Sequence, residues 1–199
     1  MFPPLSSRIP MALMIASATS LLFYTENSIL LHWIMNVALL FDMMSTAFKV
    51  NFSIENQMIL ISVEVFSILA NLAFLYLHQR YPQDLIEIIM VTQSSDIFQY
   101  FGGKRFGRHR IGSISPNKTY EGYLFSLVVI LILWLFSSIS LINLLTCWFL
   151  GIMGGLLNSI IKRKLEIKDF SHLFGEHGGF LDRADSVYLP VMAFYIWCE

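Results

Sequence analysis

Seven apolar stretches, separated by short polar segments, dominate the chain and limit the folds open to it. Each is long enough, or nearly long enough, to cross the hydrocarbon core of a bilayer as a helix. They run over residues 9–24, 29–48, 57–77, 85–103, 120–138, 142–161 and 187–198. Of the 199 residues, 56% are hydrophobic and 14% are charged, whereas roughly a quarter of the residues in a soluble domain carry charge. The sequence therefore predicts an all-α, polytopic membrane helix bundle with about six to seven transmembrane helices.

The 199 residues are expected to form a single integral-membrane domain, with a short N-terminal helical region (1–84) and a motif-bearing region (85–199). The first apolar stretch follows Arg8 and contains small residues, as a secretory signal peptide does. It leads directly into further apolar stretches, so we interpret it as a retained helix. The last stretch is short for a span, and we expect a half-helix or a segment that packs without crossing.

Basic residues are concentrated in two polar segments. Five of the 13 Lys and Arg residues lie between Lys104 and Lys118, and five lie between Lys162 and Arg183. Two helices separate these segments, so both must lie on the same side of the membrane, and the positive-inside rule places that side in the cytoplasm. Apolar stretches flank both segments, which favours a membrane-bound phosphate substrate over a nucleic acid.

The polar segment from Ser159 to Asp185, SIIKRKLEIKDFSHLFGEHGGFLDRAD, contains the groups that phosphoryl or nucleotidyl transfer requires. Its cations can bind phosphate oxygens, and its acids can hold a divalent cation. The cations are Lys162, Arg163, Lys164, Lys168 and Arg183, and the acids are Asp169, Asp182 and Asp185. A helix that begins near Asp182 would place Asp182 and Asp185 on one face. A solvated charged loop is the alternative interpretation.

The fourth apolar stretch carries an acid, Asp96, among several polar residues. A carboxylate at such depth costs about 2.5–3.5 kcal/mol on insertion scales, so Asp96 should face a cavity within the protein. We expect this helix to end at Gly102-Gly103, because glycines allow tight turns and let backbone amides approach an anion. The alternative is a basic juxtamembrane cap that contacts lipid headgroups.

The fifth apolar stretch is preceded by Ser115-Pro116-Asn117-Lys118-Thr119-Tyr120-Glu121-Gly122. A hydroxyl can cap a helix and proline can fix its entry turn, so a well-formed helix start is one interpretation. A cap does not require a cation and an acid together, and Lys118 and Glu121 therefore favour a functional role. Other acids within or at the ends of apolar stretches, such as Asp42, are expected to be hydrogen-bonded residues that face the bundle.

Together these segments resemble the motifs of the phosphatidate cytidylyltransferases, also called CDP-diglyceride synthetases. The signature of that family is filled here by Ser159, Lys162-Arg163, Lys168-Asp169, Ser171, His177-Gly178-Gly179 and Asp182-Arg183-x-Asp185. Two upstream motifs are matched by Asp96, Tyr100, Phe101 and Gly103, and by Ser115, Pro116, Lys118, Thr119, Glu121 and Gly122. The departures are Gln99, Asn117, Tyr120 and Ala184. The resemblance covers about half of the chain, from residue 96 to residue 187.

The resemblance implies transfer of the cytidylyl group of CTP to phosphatidic acid, at a site facing the cytoplasm in the inner membrane. Mg²⁺ is the implied cofactor, with K⁺ or another monovalent cation beside it, and a homodimer is the implied assembly. By similarity, Lys168, Asp169, Asp182, Arg183 and Asp185 are catalytic, and Asp96, Asp169, Asp182 and Asp185 bind or position metal. By similarity also, Ser115, Lys118, Thr119, Glu121, Lys162, Arg163, His177, Gly178 and Gly179 bind substrate or phosphate.

Two other functions stay open at this point. A CTP-dependent polyprenol or phytol kinase would use similar charged loops to move a terminal phosphoryl group onto a lipid alcohol. A lipid or ion transporter would line its path with acids inside the membrane. The products separate these functions from cytidylyl transfer, because only cytidylyl transfer places the α-phosphate of CTP in a lipid.

Overall fold

The computed structural model describes residues 28–50, 53–112, 115–135, 139–173, 175 and 178–198. Within these ranges the chain forms six helices: α1 (Ser28–Lys49), α2 (Ile54–Arg80), α3 (Pro82–Phe106), α4 (Tyr120–Trp134), α5 (Leu141–Lys164) and α6 (Leu181–Cys198). They correspond to six of the seven predicted stretches, and the first stretch, 9–24, lies outside the described residues. The prediction of a mainly helical chain is confirmed for the described part.

The last helix, α6, lies at the centre of the bundle. It packs against α2, α3 and α5, while α1 packs along α2 and α3 packs along α4. Its buried residues Leu181 and Tyr188 join an apolar cluster with Phe170, and Val191 joins a second cluster with Leu85 and residues of α2 and α5. The beginning of α6 is therefore fixed on several sides, which positions the polar residues of its first turns.

Most helix ends differ by a few residues from the predicted stretches, and two of the differences bear on the polar segments. The expectation that α3 ends at Gly102-Gly103 is wrong, because the helix continues to Phe106. A Cβ added to Gly102 would lie 2.5 Å from Phe125 Cβ of α4, so this glycine allows two helices to approach closely and does not form a turn. The start of α6 lies at Leu181, not at residue 187, and the helix has 18 residues. Asp182 and Asp185 therefore belong to a helix, and the suggestion from their spacing that a helix begins near Asp182 is confirmed.

A small antiparallel ribbon between α3 and α4 departs from the all-α prediction. Strand β1 (Arg110–Ile111) pairs with strand β2 (Ser115–Thr119). The ribbon supplies hydrogen-bond partners for backbone groups that no helix satisfies. Its proline and its short length give no strand signal in the sequence. Thr119 ends the ribbon and caps α4, since its Oγ accepts a hydrogen bond from Gly122 N at 3.1 Å, and the helix-start interpretation is confirmed.

Among the described helices, α2 and α5 are long and apolar enough to cross a membrane, with mean hydropathies of 2.2 and 1.8 over their most apolar parts. Those parts are 28% and 33% buried, whereas the core helix of a soluble domain would be mostly buried. Large apolar side chains such as Met58 and Phe149 point away from the bundle. These features indicate membrane association, and the count of six to seven crossings stays a prediction.

Candidate active site

The segment between α5 and α6 ends just before Asp182, which lies in the first turn of α6. We call this segment the signature loop; the structure describes its residues 165–173, 175 and 178–180. Asp182 Oδ1 lies 2.8 Å from Lys162 Nζ of α5, and Oδ2 accepts hydrogen bonds from Phe170 N at 3.0 Å and Gly179 N at 2.9 Å. The Asp182 side chain is 3% exposed. Hydrogen bonds to a charged group are the strong ones, so Asp182 fixes the loop to the end of α5.

The two glycines of the signature loop lie directly against carboxylates. Gly178 has φ +83°, and a Cβ there would lie 2.9 Å from Asp182 Oδ2. A Cβ on Gly179 would lie 2.5 Å from Asp42 Oδ2 and 2.6 Å from Ser171 Oγ. Both glycines are buried. The acids of the bundle therefore require glycine here, independently of any phosphate that approaches the backbone.

We expect Gly179→Ala to destabilise the protein by about 2–4 kcal/mol, because the methyl group would overlap both partners of a buried hydrogen bond. The measurement is the thermal unfolding midpoint of the purified full chain. The control is Gly112→Ala, at an exposed turn with φ +71° and no described atom within 4 Å of the added Cβ. Its cost is backbone strain of about 1–2 kcal/mol. A smaller loss for Gly179→Ala than for Gly112→Ala would contradict the overlap.

A second group of charges gathers where α3, β2 and α6 meet. Lys118 of β2 interacts electrostatically with Asp96 of α3 and with Asp185 of α6, and the two acids interact with each other. Lys118 Nζ would lie 2.8 Å from a Cβ at Gly155, so the ammonium rests against α5. Gly154 lets the Asp185 carbonyl oxygen approach α5 closely. The two basic segments that were predicted to lie on one side of the membrane thus contribute to one cluster.

Asp185 differs from Asp182 in the contacts of its carboxylate. Lys162 and Asp182 act on it electrostatically, yet within the described ranges its carboxylate forms no ion pair. Its side chain is half-buried. The hydroxyl of Tyr123, which interacts electrostatically with Asp96, is buried and has no hydrogen-bond partner among the described residues. Polar groups left unsatisfied by protein are the ones that a bound ligand can use.

These side chains could hold Mg²⁺ together with a substrate, although they do not form a closed cage. In the described part of the chain, no three His, Cys, Asp or Glu side chains are grouped closely enough to hold a metal ion. Mg²⁺ is usually bound by one or two carboxylates together with substrate phosphates and water. Asp96 and Asp185 provide such a pair of hard oxygen donors. Asp182 is already occupied by Lys162 and two backbone N–H groups.

Glu121 binds the protein's own backbone. Its carboxylate accepts hydrogen bonds from Arg108 N at 3.1 Å and His109 N at 3.2 Å, and Oε1 lies 2.6 Å from His109 Nδ1. The residue therefore ties the end of α3 to the start of α4. This contact accounts for the acid beside Thr119 without a substrate, and the role of Glu121 in phosphate binding stays a prediction.

The other predicted site residues differ in their exposure. Arg163, Lys168 and Arg183 are exposed, Asp169 is half-buried, Ser115 is buried, and His177 lies outside the described residues. Exposed cations are accessible to a substrate phosphate. Their predicted roles are not decided by the contacts in the structure and stay predictions.

Sequence reasoning missed the link between α1 and the signature loop. Asp42 is 0% exposed and accepts hydrogen bonds from Ser171 Oγ at 2.5 Å and Leu181 N at 2.7 Å. The prediction that Asp42 is hydrogen-bonded inside the bundle is confirmed. Its partners lie more than a hundred residues away in the sequence. The only indication of this link in the sequence is a lone acid within an apolar stretch.

Comparison with known proteins defines the class. The sequence model of the cytidylyltransferase family matches residues 2–199, and the chain belongs to this family, as the motifs predicted. It is 40% identical over 111 residues to the phosphatidate cytidylyltransferase of Aquifex aeolicus (strain VF5), 51% of this chain and 42% of that protein. It is 37% identical over 116 residues to that of Bacillus subtilis (strain 168), 53% of this chain and 43% of that protein. Each match thus spans less than half the length of the relative.

Proposed function

We propose that the protein transfers the cytidylyl group of CTP to phosphatidic acid, giving CDP-diacylglycerol and pyrophosphate. The main support for the proposal is that Asp96, Lys118 and Asp185 interact with one another inside an apolar bundle. All three belong to the family motifs. The choice of substrates is supported by the names of the relatives, which are phosphatidate cytidylyltransferases. The basic segments support a multi-pass protein in the inner membrane with its site in the cytoplasm.

In the proposed reaction a phosphate oxygen of phosphatidic acid forms a bond to the α-phosphorus of CTP. The bond from that phosphorus to the bridging oxygen breaks, and pyrophosphate leaves with the electron pair. A phosphate monoester is anionic at neutral pH, so the attacking group needs no general base from the chain. Lys118 would bind phosphate oxygens at the cluster, and Arg163, Lys168 and Arg183 would bind them at the exposed rim. These cations offset the repulsion between two anionic substrates.

Mg²⁺ is the proposed cofactor, with Asp96 and Asp185 as the residues that would hold it. When bound, the ion would supply charge neutralisation on the triphosphate. The role of Asp182 would then be to position the signature loop through Lys162, and Asp169 would face the substrate side of the loop. A monovalent cation beside Mg²⁺, a homodimer and a role for His177 at the phosphates belong to the same proposal by family resemblance.

The test follows the α-phosphate of CTP. Purified full-length chain in lipid-containing micelles receives phosphatidic acid, MgCl₂ and CTP labelled at the α-phosphate. We expect the label in the lipid fraction, with one pyrophosphate released per labelled lipid, and no labelled lipid when diacylglycerol replaces phosphatidic acid. Label that appears only in soluble CDP would instead indicate a lipid kinase. An absence of CTP-dependent labelling of phosphatidic acid would reject the cytidylyltransferase.

A further inference from the structure

Two carboxylates bridge the two ends of the signature loop, and one of them comes from outside the family motifs. Asp182 joins Phe170 N, near the beginning of the loop, to Gly179 N near its end. Asp42 of α1 joins Ser171 Oγ, beside Phe170, to Leu181 N at the first residue of α6. Asp42 therefore makes the same kind of bridge as Asp182, from a different helix.

We propose that Asp42 is a positioning residue for the active site, holding the signature loop closed against the start of α6. The inference rests on the proposed function, because the site that it positions is the one assigned to cytidylyl transfer. Leu181 N is one of the first N–H groups of a helix, which no helix carbonyl can satisfy. An acid bound there fixes the helix start and interacts favourably with its dipole. The start of α6 in turn carries Asp182 and Asp185.

The burial of Asp42 couples it to the closed loop. A carboxylate that is 0% exposed is costly unless its oxygens are hydrogen-bonded. The donors to its two oxygens, Ser171 Oγ and Leu181 N, come from the loop and from α6. Opening of the loop would remove these donors and leave the acid unsatisfied. The described conformation of the loop therefore supplies hydrogen bonds to both oxygens of this buried acid.

Neighbouring residues of α1 reinforce the same contact. Thr46 Oγ1 lies 2.7 Å from Phe170 O, and Lys49 Nζ lies 3.5 Å from the same oxygen. Gly179 lacks the side chain that would collide with Asp42 and Ser171. One face of α1 thus holds the loop at Phe170, Ser171 and Leu181, although this helix carries no family motif.

The test measures the loop directly. Full-length protein in lipid-containing micelles is compared as wild type, Asp42→Ala and Asp42→Asn, by amide hydrogen exchange and by kcat/KM for α-labelled CTP. We expect Asp42→Ala to raise exchange at Gly179 and Leu181, and to lower kcat/KM, by about tenfold or more, because two hydrogen bonds to a buried acid are lost. Asp42→Asn should restore most of both, since an amide can donate to Ser171 Oγ while it accepts from Leu181 N.

Two further variants separate a specific effect on the loop from a general loss of stability. Ser171→Ala removes one of the two bonds and should give a smaller change at the same amides, which keeps the test usable if Asp42→Ala does not fold. The matched control is Ser67→Ala, because Ser67 is 1% exposed and its hydroxyl binds Val63 O within α2. We expect this control to leave loop exchange and kcat/KM unchanged.

The outcomes separate the inference from the proposed function. Unchanged exchange at residues 170–181 in Asp42→Ala would overturn the positioning role, and so would an equal rise in exchange across every helix, which means general destabilisation. Loop-specific exchange together with reduced kcat/KM and rescue by asparagine would support it. A wild-type protein without cytidylyl transfer would reject the proposed function, while loop-specific exchange would still support the Asp42 bridge.

Discussion

Asp182→Asn should lower kcat/KM for cytidylyl transfer by about a hundredfold, the loss that follows when catalytic groups are misplaced by about 1 Å. Three donors, Lys162 Nζ, Phe170 N and Gly179 N, converge on the carboxylate. The asparagine amide has one acceptor oxygen and places N–H donors against a donor. Lys162, 15% exposed, would lose its counter-ion, which is costly for a buried cation. The assay uses α-labelled CTP, normalised to protein in the membrane.

An exposed ion pair of the same type provides the control. Lys164 Nζ lies 2.7 Å from Glu55 Oε1, but these side chains are 55% and 70% exposed. Exposed pairs contribute about 0–1 kcal/mol to stability, so Glu55→Gln should leave turnover within about twofold of the wild type. Equal losses in Glu55→Gln and Asp182→Asn, or normal turnover in Asp182→Asn, would contradict the role assigned to the buried pair.

Asp185→Asn should remove activity to a similar extent, about a hundredfold or more, and should leave the thermal unfolding midpoint unchanged or raised. Within the described ranges its carboxylate forms no ion pair, and it repels the neighbouring Asp96. Neutralising it removes the attraction to Lys118 and Lys162 as well as the repulsion, but it also relieves the larger cost of holding a charge in a desolvated site. The Mg²⁺ concentration that gives half-maximal turnover should rise, because one proposed ligand loses its charge. Turnover and stability are measured on the same preparations.

The contrast between the two acids makes this prediction specific. Asp182→Asn should lower both activity and stability, whereas Asp185→Asn should lower activity alone. Asp84→Asn, a change in the first turn of α3, serves as the control and should retain activity. If Asp185→Asn kept normal turnover and an unchanged Mg²⁺ requirement, Asp185 would not face the substrate.

The course of the helices was predictable because apolar stretches of spanning length have few other structures open to them. The cluster was partly predictable as well, since two basic segments separated by a pair of helices must lie on one side. That reasoning places Lys118 and Asp185 on the same side of the membrane, and the structure shows in addition that they interact electrostatically. Their pairing depends on how the helices pack, which the topology does not give.

The helix ends could not be predicted from the local sequence. Glycine serves a turn and a close helix contact equally well, and Gly102 serves the contact with Phe125. The apolar stretch 187–198 leaves out the charged first turn of α6, which only the spacing of Asp182 and Asp185 indicated. The tertiary partner decides both cases, and it lies elsewhere in the sequence.

The partners of the acids were also beyond local reasoning. Glu121 lies beside Thr119 in the sequence, yet its carboxylate binds the backbone at Arg108 and His109. Asp42 reaches Ser171 across most of the chain. The spacing of residues in a sequence indicates which side chains are neighbours on the same helix. The contacts of Glu121 and Asp42 depend instead on how different elements pack against each other.

The central claim is that the two polar segments form one site, and a double-mutant cycle on Lys118 and Asp185 tests it most directly. Lys118→Met, Asp185→Asn and the double variant are compared by kcat/KM for transfer of the α-phosphate to phosphatidic acid. Residues that act on the same reacting group have strongly non-additive effects. We predict that the double variant is close to the more damaged single variant. Losses that multiply would show that the two residues act independently, and would contradict a shared site.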